Sequence, residues 1–363
     1  MIKIPVYQPS LIGNEKKYVN DCLDSTWISS KGSYIKKFED EFSKKININF
    51  STTVSNGTVA LHVALLALGV CAGDEVIVPT FTYIASVNAI TYVGAQPVFI
   101  DSVFDTWQMD PEDIERKITS RTKAILVVHL YGHPCNMEAI LKISKKHKLK
   151  IIEDCAEAFG SKYLDKYVGG FGDISTFSFF GNKTITTGEG GMVSTNDEKL
   201  YERAVHFKGQ GLAKNLEYWH DVIGYNYRMT NICAAIGLAQ LEQADHFISR
   251  KREIAECYRN GLSKLPIIVH QESENIFHTY WMISILVENL DVKNALRKFL
   301  LDKGIETRPL FNLANTMPMY INSNSYFPVA KELSSRGINL PSWPMLSQDS
   351  QDYIISNINK FYQ

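Results

Sequence analysis

Short runs rich in Val and Ile recur through the first two thirds of this chain, at residues 75–79, 97–101, 123–130, 150–154, 174–179 and 191–194. Between them lie stretches of helical periodicity near residues 56–68, 83–92, 137–147 and 198–207. Continuous apolar runs of this length suit strands covered on both faces, which is the condition of a parallel sheet. Strands alternating with helices define a wound α/β domain, whose ligand sits beyond the carboxyl ends of the strands. From about residue 231 a long helical pattern runs through Ile232, Ala235, Leu238 and Leu241 to Tyr258. A strand-like segment at 278–286 then opens a different, βαβ-like region. Pro309, Pro318, Pro328, Pro341 and Pro344 place long ordered loops in this smaller α+β lobe. The expected division is a large domain over residues 1–240 and a small one over residues 241–363.

The chain has 363 residues, 45% of them apolar and 21% charged, enough for two packed lobes and unlike a disordered or fibrous protein. Lys and Arg number 38 against 39 Asp and Glu, so there is no basic excess for a nucleic-acid backbone. Residues 1–11 carry Pro5, Gln8 and Pro9 instead of an apolar core, and the apolar stretch 63–72 is too short to span a bilayer. A soluble, cytoplasmic protein without nucleic-acid or membrane partners is expected. Six scattered cysteines without zinc or disulfide spacing read as buried free thiols. His129 and His133 have the spacing of a zinc-protease helix but lack its Glu and follow a strand, so no metal is expected.

Between Ile174 and Gly188 the one side chain charged at neutral pH is Lys183, set among Gly, Asn and Thr after an apolar strand. Burial without a fixed anion depresses an amine's pKa, and a neutral amine attacks a carbonyl to form a Schiff base. A solvated loop lysine is the plain alternative. The G-N-K-T around it is not a phosphate-binding P-loop, because Asn182 separates Gly181 from Lys183. Glu153 and Asp154 close a predicted strand, and alternation sends them to opposite faces, so at most one serves a given site. Such a carboxylate can hold a cationic ring nitrogen, or merely cap a helix. In S-N-G-T-V-A-L, Asn56, Gly57 and Thr58 precede an apolar helix whose free amides favour a phosphate; capping by Asn56 explains the same letters. Ser178 can add a hydroxyl to that anion, and Tyr83 can cover an aromatic ring or simply join the core. Pyridoxal 5'-phosphate accounts for all four elements.

The motifs P-V-Y-Q-P, W-I-S-S-K-G, S-N-G-T-V-A-L-H, P-T-F-T-Y-I-A-S-V-N-A-I, E-D-C-A-E-A-F-G, F-S-F-F-G-N-K-T-I-T-T-G-E-G-G-M and G-Y-N-Y-R-M-T resemble those of the DegT/StrS-type nucleotide-sugar aminotransferases over essentially the whole chain. The resemblance implies an aspartate-aminotransferase-like α/β fold (fold type I): a large domain with a mostly parallel seven-stranded sheet, a small C-terminal α+β domain, and a homodimer with shared sites. It makes Lys183 the Schiff-base lysine, Asp154 the partner of the ring nitrogen and Tyr83 the stacking aromatic. Gly57, Thr58 and Ser178 hold the phosphate, and Asn226 reaches it from the neighbouring subunit. Glu157 falls beside the ring hydroxyl, where many relatives carry Gln or His. Tyr7, Asn182, Arg228 and Arg308 lie in or near segments resembling site linings and are candidate substrate contacts.

The implied reaction moves an amino group from L-glutamate, by way of pyridoxamine 5'-phosphate, to C4 of a GDP-linked 4-keto-6-deoxy sugar for O-antigen assembly. Two alternatives share the fold: a nucleotide-sugar dehydratase with histidine in place of the lysine, and a catalytically inactive regulatory protein. Lys183 argues against the first, and its pairing with Asp154 against the second. Nicotinamide or flavin chemistry lacks its glycine fingerprint.

Overall fold

Alternate residues of the apolar runs enter opposite cores. Val76, Val78, Ala124 and Leu126 pack with Leu61 and Leu65 on one side, while Ile77, Ile125, Val127 and Ile151 pack with Met137 and Ile140 on the other. The computed structural model describes residues 3–321 and 326–363. Its large sheet comprises β1 (Phe50–Val54), β2 (Glu75–Pro79), β3 (Gln96–Ile100), β4 (Thr122–Val128), β5 (Lys150–Asp154), β6 (Ile174–Ser178) and β7 (Gly191–Thr195). Their spatial order is β1-β7-β6-β5-β4-β2-β3. Neighbours from β6 to β3 pair parallel, whereas β7 runs antiparallel to both β6 and β1.

Helices α3 (Gly57–Leu68), α4 (Ile84–Tyr92), α6 (Met137–His147) and α7 (Glu198–Lys208) lie where periodicity places them. The amino-terminal α1 (Glu15–Asp24) and α2 (Ser33–Ile46), and the short α5 (Pro111–Arg116), go unannounced by it. So does β1, whose Ser51, Thr52 and Thr53 offer no apolar run. Buried Glu39 holds this strand, accepting from the Thr53 N–H at 2.7 Å and its hydroxyl at 2.9 Å.

Two expectations for the remainder need correction. The long helical pattern breaks at Gln243 into α8 (Asn231–Glu242), which packs on α1 and α2, and α9 (Ala244–Leu262), which packs on the helix Gln348–Phe361. The expected strand at 278–286 is reduced to Ile283–Leu286, because residues 278–282 turn irregularly into the seam between the sheets. Neighbours in the small sheet pair antiparallel, in the order β8 (Ile268–Val269), β9 (Ile283–Leu286), β11 (Gly337–Leu340) and β10 (Arg308–Pro309); β9 and β10, joined by the helix Leu290–Asp302 and both antiparallel to the β11 between them, run parallel to each other as the βαβ-like pattern requires. Among the cysteines, all free, Cys22, Cys135 and Cys155 are buried as expected, but Cys71 is exposed and Cys233 and Cys257 are half-buried. Among the described residues no helix is long and apolar enough to cross a membrane.

Candidate active site

The carboxyl ends of the parallel strands deliver the candidate residues to one place, as the wound topology requires. Asp154 is the last residue of β5 and is buried. One of its carboxylate oxygens accepts from Ser86 Oγ at 2.7 Å and the other from the Ala156 N–H at 3.0 Å. Burial pushes its carboxyl above the usual range, and the nearby Lys183 pulls it back down. Glu153, on the opposite face, is consumed structurally: it accepts the amides of Gly169, Phe171 and Gly172 at 2.6 to 2.7 Å and meets His129 Nε2 at 3.1 Å. His133 bonds instead to the Pro134 carbonyl and Ser273.

Lys183 sits in the turn after β6. Its N–H bonds back to the Phe180 carbonyl at 2.9 Å, its carbonyl accepts from the Tyr7 hydroxyl at 2.6 Å, and the preceding Asn182 carbonyl accepts from Trp281 Nε1 at 2.7 Å. Held on both sides, the side chain is only 13% exposed. Its Nζ lies 3.9 Å from Glu157 Oε1 and 3.9 Å from the Trp281 ring centre. Burial drives the amine's pKa down, opposed by the charges of Glu157 and Asp154; burial likewise pushes Glu157 up, opposed by Lys183. The Tyr131 N–H, at 2.8 Å, orients the other Glu157 oxygen.

The phosphate candidates form a cradle at the start of α3. Asn56 does cap the helix, taking the Val59 N–H at 3.0 Å on its side chain and the Ala60 N–H at 3.2 Å on its carbonyl. The amides of Gly57 and Thr58 precede the first intrahelical donors and point out of the helix, so capping and anion binding coexist. Ser178, ending β6, approaches so closely that a Cβ on residue 57 would stand 2.7 Å from Ser178 Cβ. Tyr83, just before α4, is 57% exposed and packs at a tilt of 53° on Phe311, with ring centres 5.6 Å apart. A cradle only glycine can line, an exposed aromatic face, a buried carboxylate and a buried amine together fit pyridoxal phosphate.

The remaining candidates are dispersed. Tyr7 serves the Lys183 backbone, while Asn182 keeps a buried Oδ1 without a partner among the described residues. Asn226 is exposed and accepts from Arg228 at 2.9 and 3.1 Å, with no side-chain bond to Gly57, Thr58 or Ser178. Arg308 is exposed on β10, 3.6 Å from Glu306. Four contributors escape the sequence reading. Ser86 lies inside a quoted motif three residues after Tyr83, which was its signal. Tyr131, Trp281 and Phe311 carried none. The three rings pack in a triangle, with centres 6.0 Å apart for Tyr131 and Trp281, 5.2 Å for Tyr131 and Phe311 and 6.3 Å for Trp281 and Phe311.

Fold and site together define a pyridoxal-phosphate-dependent aminotransferase. Residues 9–359 match the DegT/DnrJ/EryC1/StrS aminotransferase family, and the chain belongs to it. It is 67% identical to the GDP-perosamine synthase of Escherichia coli O157:H7, over 99% of this chain and 98% of that protein. It is 52% identical to the GDP-perosamine synthase of Vibrio cholerae, over 99% of each. The PLP form of Spr1654 from Streptococcus pneumoniae matches with a TM-score of 0.94 at 30% identity, over 99% of this chain and 98% of that one.

Proposed function

We propose that this aminotransferase transfers the amino group of L-glutamate to C4 of GDP-4-keto-6-deoxy-D-mannose, forming GDP-perosamine for O-antigen synthesis. The single observation that carries the aminotransferase chemistry is Lys183 Nζ, enclosed 3.9 Å from Glu157 with Asp154 close enough to act on its charge. The sugar and nucleotide rest on the 67% and 52% identity to two GDP-perosamine synthases.

Bound pyridoxal phosphate supplies a carbonyl for attachment and a ring that takes up electrons from the substrate's α-carbon. Lys183 would hold it through its Nζ and, as a free amine, would take up and return the proton of the substrate carbon. Asp154 keeps the ring nitrogen protonated; each of its oxygens holds one fixed donor and retains a lone pair. Gly57, Thr58 and Ser178 hold the phosphate, Tyr83 covers one ring face, and Glu157, aimed by Tyr131, exchanges protons with Lys183. Asn182, with its unpartnered oxygen, and Tyr7, Arg228 and Arg308 are proposed to meet the sugar nucleotide or the glutamate carboxylates.

The same reading divides the chain into a large cofactor-holding α/β domain, residues 1–240, and a small α+β domain, residues 241–363, supported by the helix break at Gln243. It makes the protein a homodimer in which Asn226 leaves Arg228 for the partner's phosphate site. Supporting this, the preceding segment exposes Leu216, Tyr218, Trp219 and Ile223, an apolar surface suited to a second copy. A cytoplasmic location accords with cysteines that are all free.

Purified protein given the cofactor is expected to absorb visible light through the lysine-bound form, and Lys183→Ala to lose both that band and more than about a thousandfold of activity, about 4 kcal/mol of barrier. A wild type that never takes up the cofactor would defeat the proposal. Turnover of dTDP- or UDP-linked keto sugars with glutamate, but not of the GDP-linked one, would overturn the substrate.

A further inference from the structure

Behind the lysine stands a construction of which the transfer chemistry uses only the Tyr131 N–H. Trp107 (φ 64°), Tyr131 (φ 56°) and Tyr280 (φ 50°) all adopt the left-handed backbone region at the seam between the sheets. That conformation costs a bulky residue on the order of 1 kcal/mol or more, so the surroundings must enforce it. Tyr131 accepts the Trp281 N–H at 3.1 Å and stacks on the Trp281 ring at an interplanar angle of 10°.

Tyr280 is held from the other side. Its N–H donates to His278 Nδ1 at 3.0 Å, so the neutral ring carries its proton on Nε2. Nε2 in turn lies 3.4 Å from His270 Nδ1, and His270 Nε2 donates to the Thr106 carbonyl at 3.1 Å while its ring stacks on Trp107. A backbone donor at one end and a backbone acceptor at the other fix the direction of every link. A second proton on either ring would set two donors face to face. Burial, with the neighbouring His133, keeps His270 down to about 3 and His278 well below its ordinary value. The charged groups facing this cluster are the paired Glu272 and Arg252.

We propose that Trp281 is a positioning residue for Lys183, holding the released ammonium against its indole face, and that the His278–His270 chain holds Tyr280 so that the indole stays there. The proposal rests on Lys183 being the cofactor lysine. An indole face favours the charged amine, adding to Glu157 and Asp154 and opposing burial. A ring that merely filled space would do the reverse, since its removal would admit water and raise the amine's pKa.

The test labels Lys183 with acetic anhydride across pH in the full-length, cofactor-free protein and follows the peptide by mass spectrometry. Trp281→Leu should lower the inflection by about one unit, making neutral-pH labelling up to about tenfold faster. Trp281→Phe should lower it less, and decides the matter if the leucine variant does not fold by circular dichroism. An unmoved or raised inflection overturns the role of Trp281. His278→Phe should shift the inflection as Trp281→Leu does, whereas His278→Asn, which restores an acceptor for the Tyr280 N–H, should stay near wild type. Equal inflections in the two His278 variants overturn the chain. Cofactor uptake by the wild type, scored separately by its visible band, tells failure of the clamp from failure of the aminotransferase reading.

Discussion

A methyl group at position 57 has nowhere to go, because it would meet Ser178 Cβ at 2.7 Å. Gly57→Ala should therefore part α3 from β6 at the proposed phosphate cradle. At about 1–3 kcal/mol for such overpacking, cofactor affinity should fall roughly tenfold to a hundredfold in equilibrium dialysis. Adding Ser178→Gly removes the opposing atom and should recover part of the loss; no recovery would mean that the glycine serves something else. Gly57, Asp154 and Lys183 were legible because each sits in a local pattern that names its own chemistry. Trp281 was not: it reaches Asn182 across 99 residues of chain, and nothing in its own segment points there.

Between elements, side chains from distant helices do the work that local caps usually do. The N-cap of α2 is Gly32, at φ 151°, and a Cβ there would collide with the Asn231 side chain. Asn231, the first residue of α8, supplies the cap instead: its Oδ1 accepts the Tyr34 N–H at 3.0 Å, and its Nδ2 donates to the Trp27 carbonyl at 2.7 Å. Asn231→Ala strands the Tyr34 N–H in a buried site and takes the donor from the half-buried Trp27 carbonyl. It should cost about 2–4 kcal/mol, read as a lower urea midpoint, with cofactor uptake retained in the protein that remains folded. The glycine of W-I-S-S-K-G thus has its reason in a residue that no short-range reading connects to it. The same limit hid β1, whose polar strand is buried by Glu39 of α2, and mistook residues 278–282 for plain strand. Periodicity predicts elements that bury one apolar face; those kept in place by polar partners from elsewhere leave no such trace.

Across the whole molecule, the buried histidines tie stability to pH. His133 is pushed down to about 4 and His270 to about 3, from an ordinary 6.5, chiefly by burial. Above pH 6.5 both are neutral folded or unfolded, and stability is indifferent to them. As pH falls from 6.5 toward 4, the unfolded chain takes up protons that the folded one refuses, and each ring withdraws up to about 1.4 kcal/mol per pH unit. The melting temperature should therefore decline through that window, and His133→Asn, which can still donate to the Pro134 carbonyl, should flatten the decline. An unchanged slope would show that these rings do not govern it. The seam they occupy also bears on engineering. The indole over the lysine and the Phe311 ring beside Tyr83 both come from the carboxyl-terminal third, whereas the lysine itself comes from the large sheet. A graft that exchanges this third between relatives to change sugar preference would thus import a foreign acid–base setting for the amine, unless residues 278–281 and 308–311 stay with their original host.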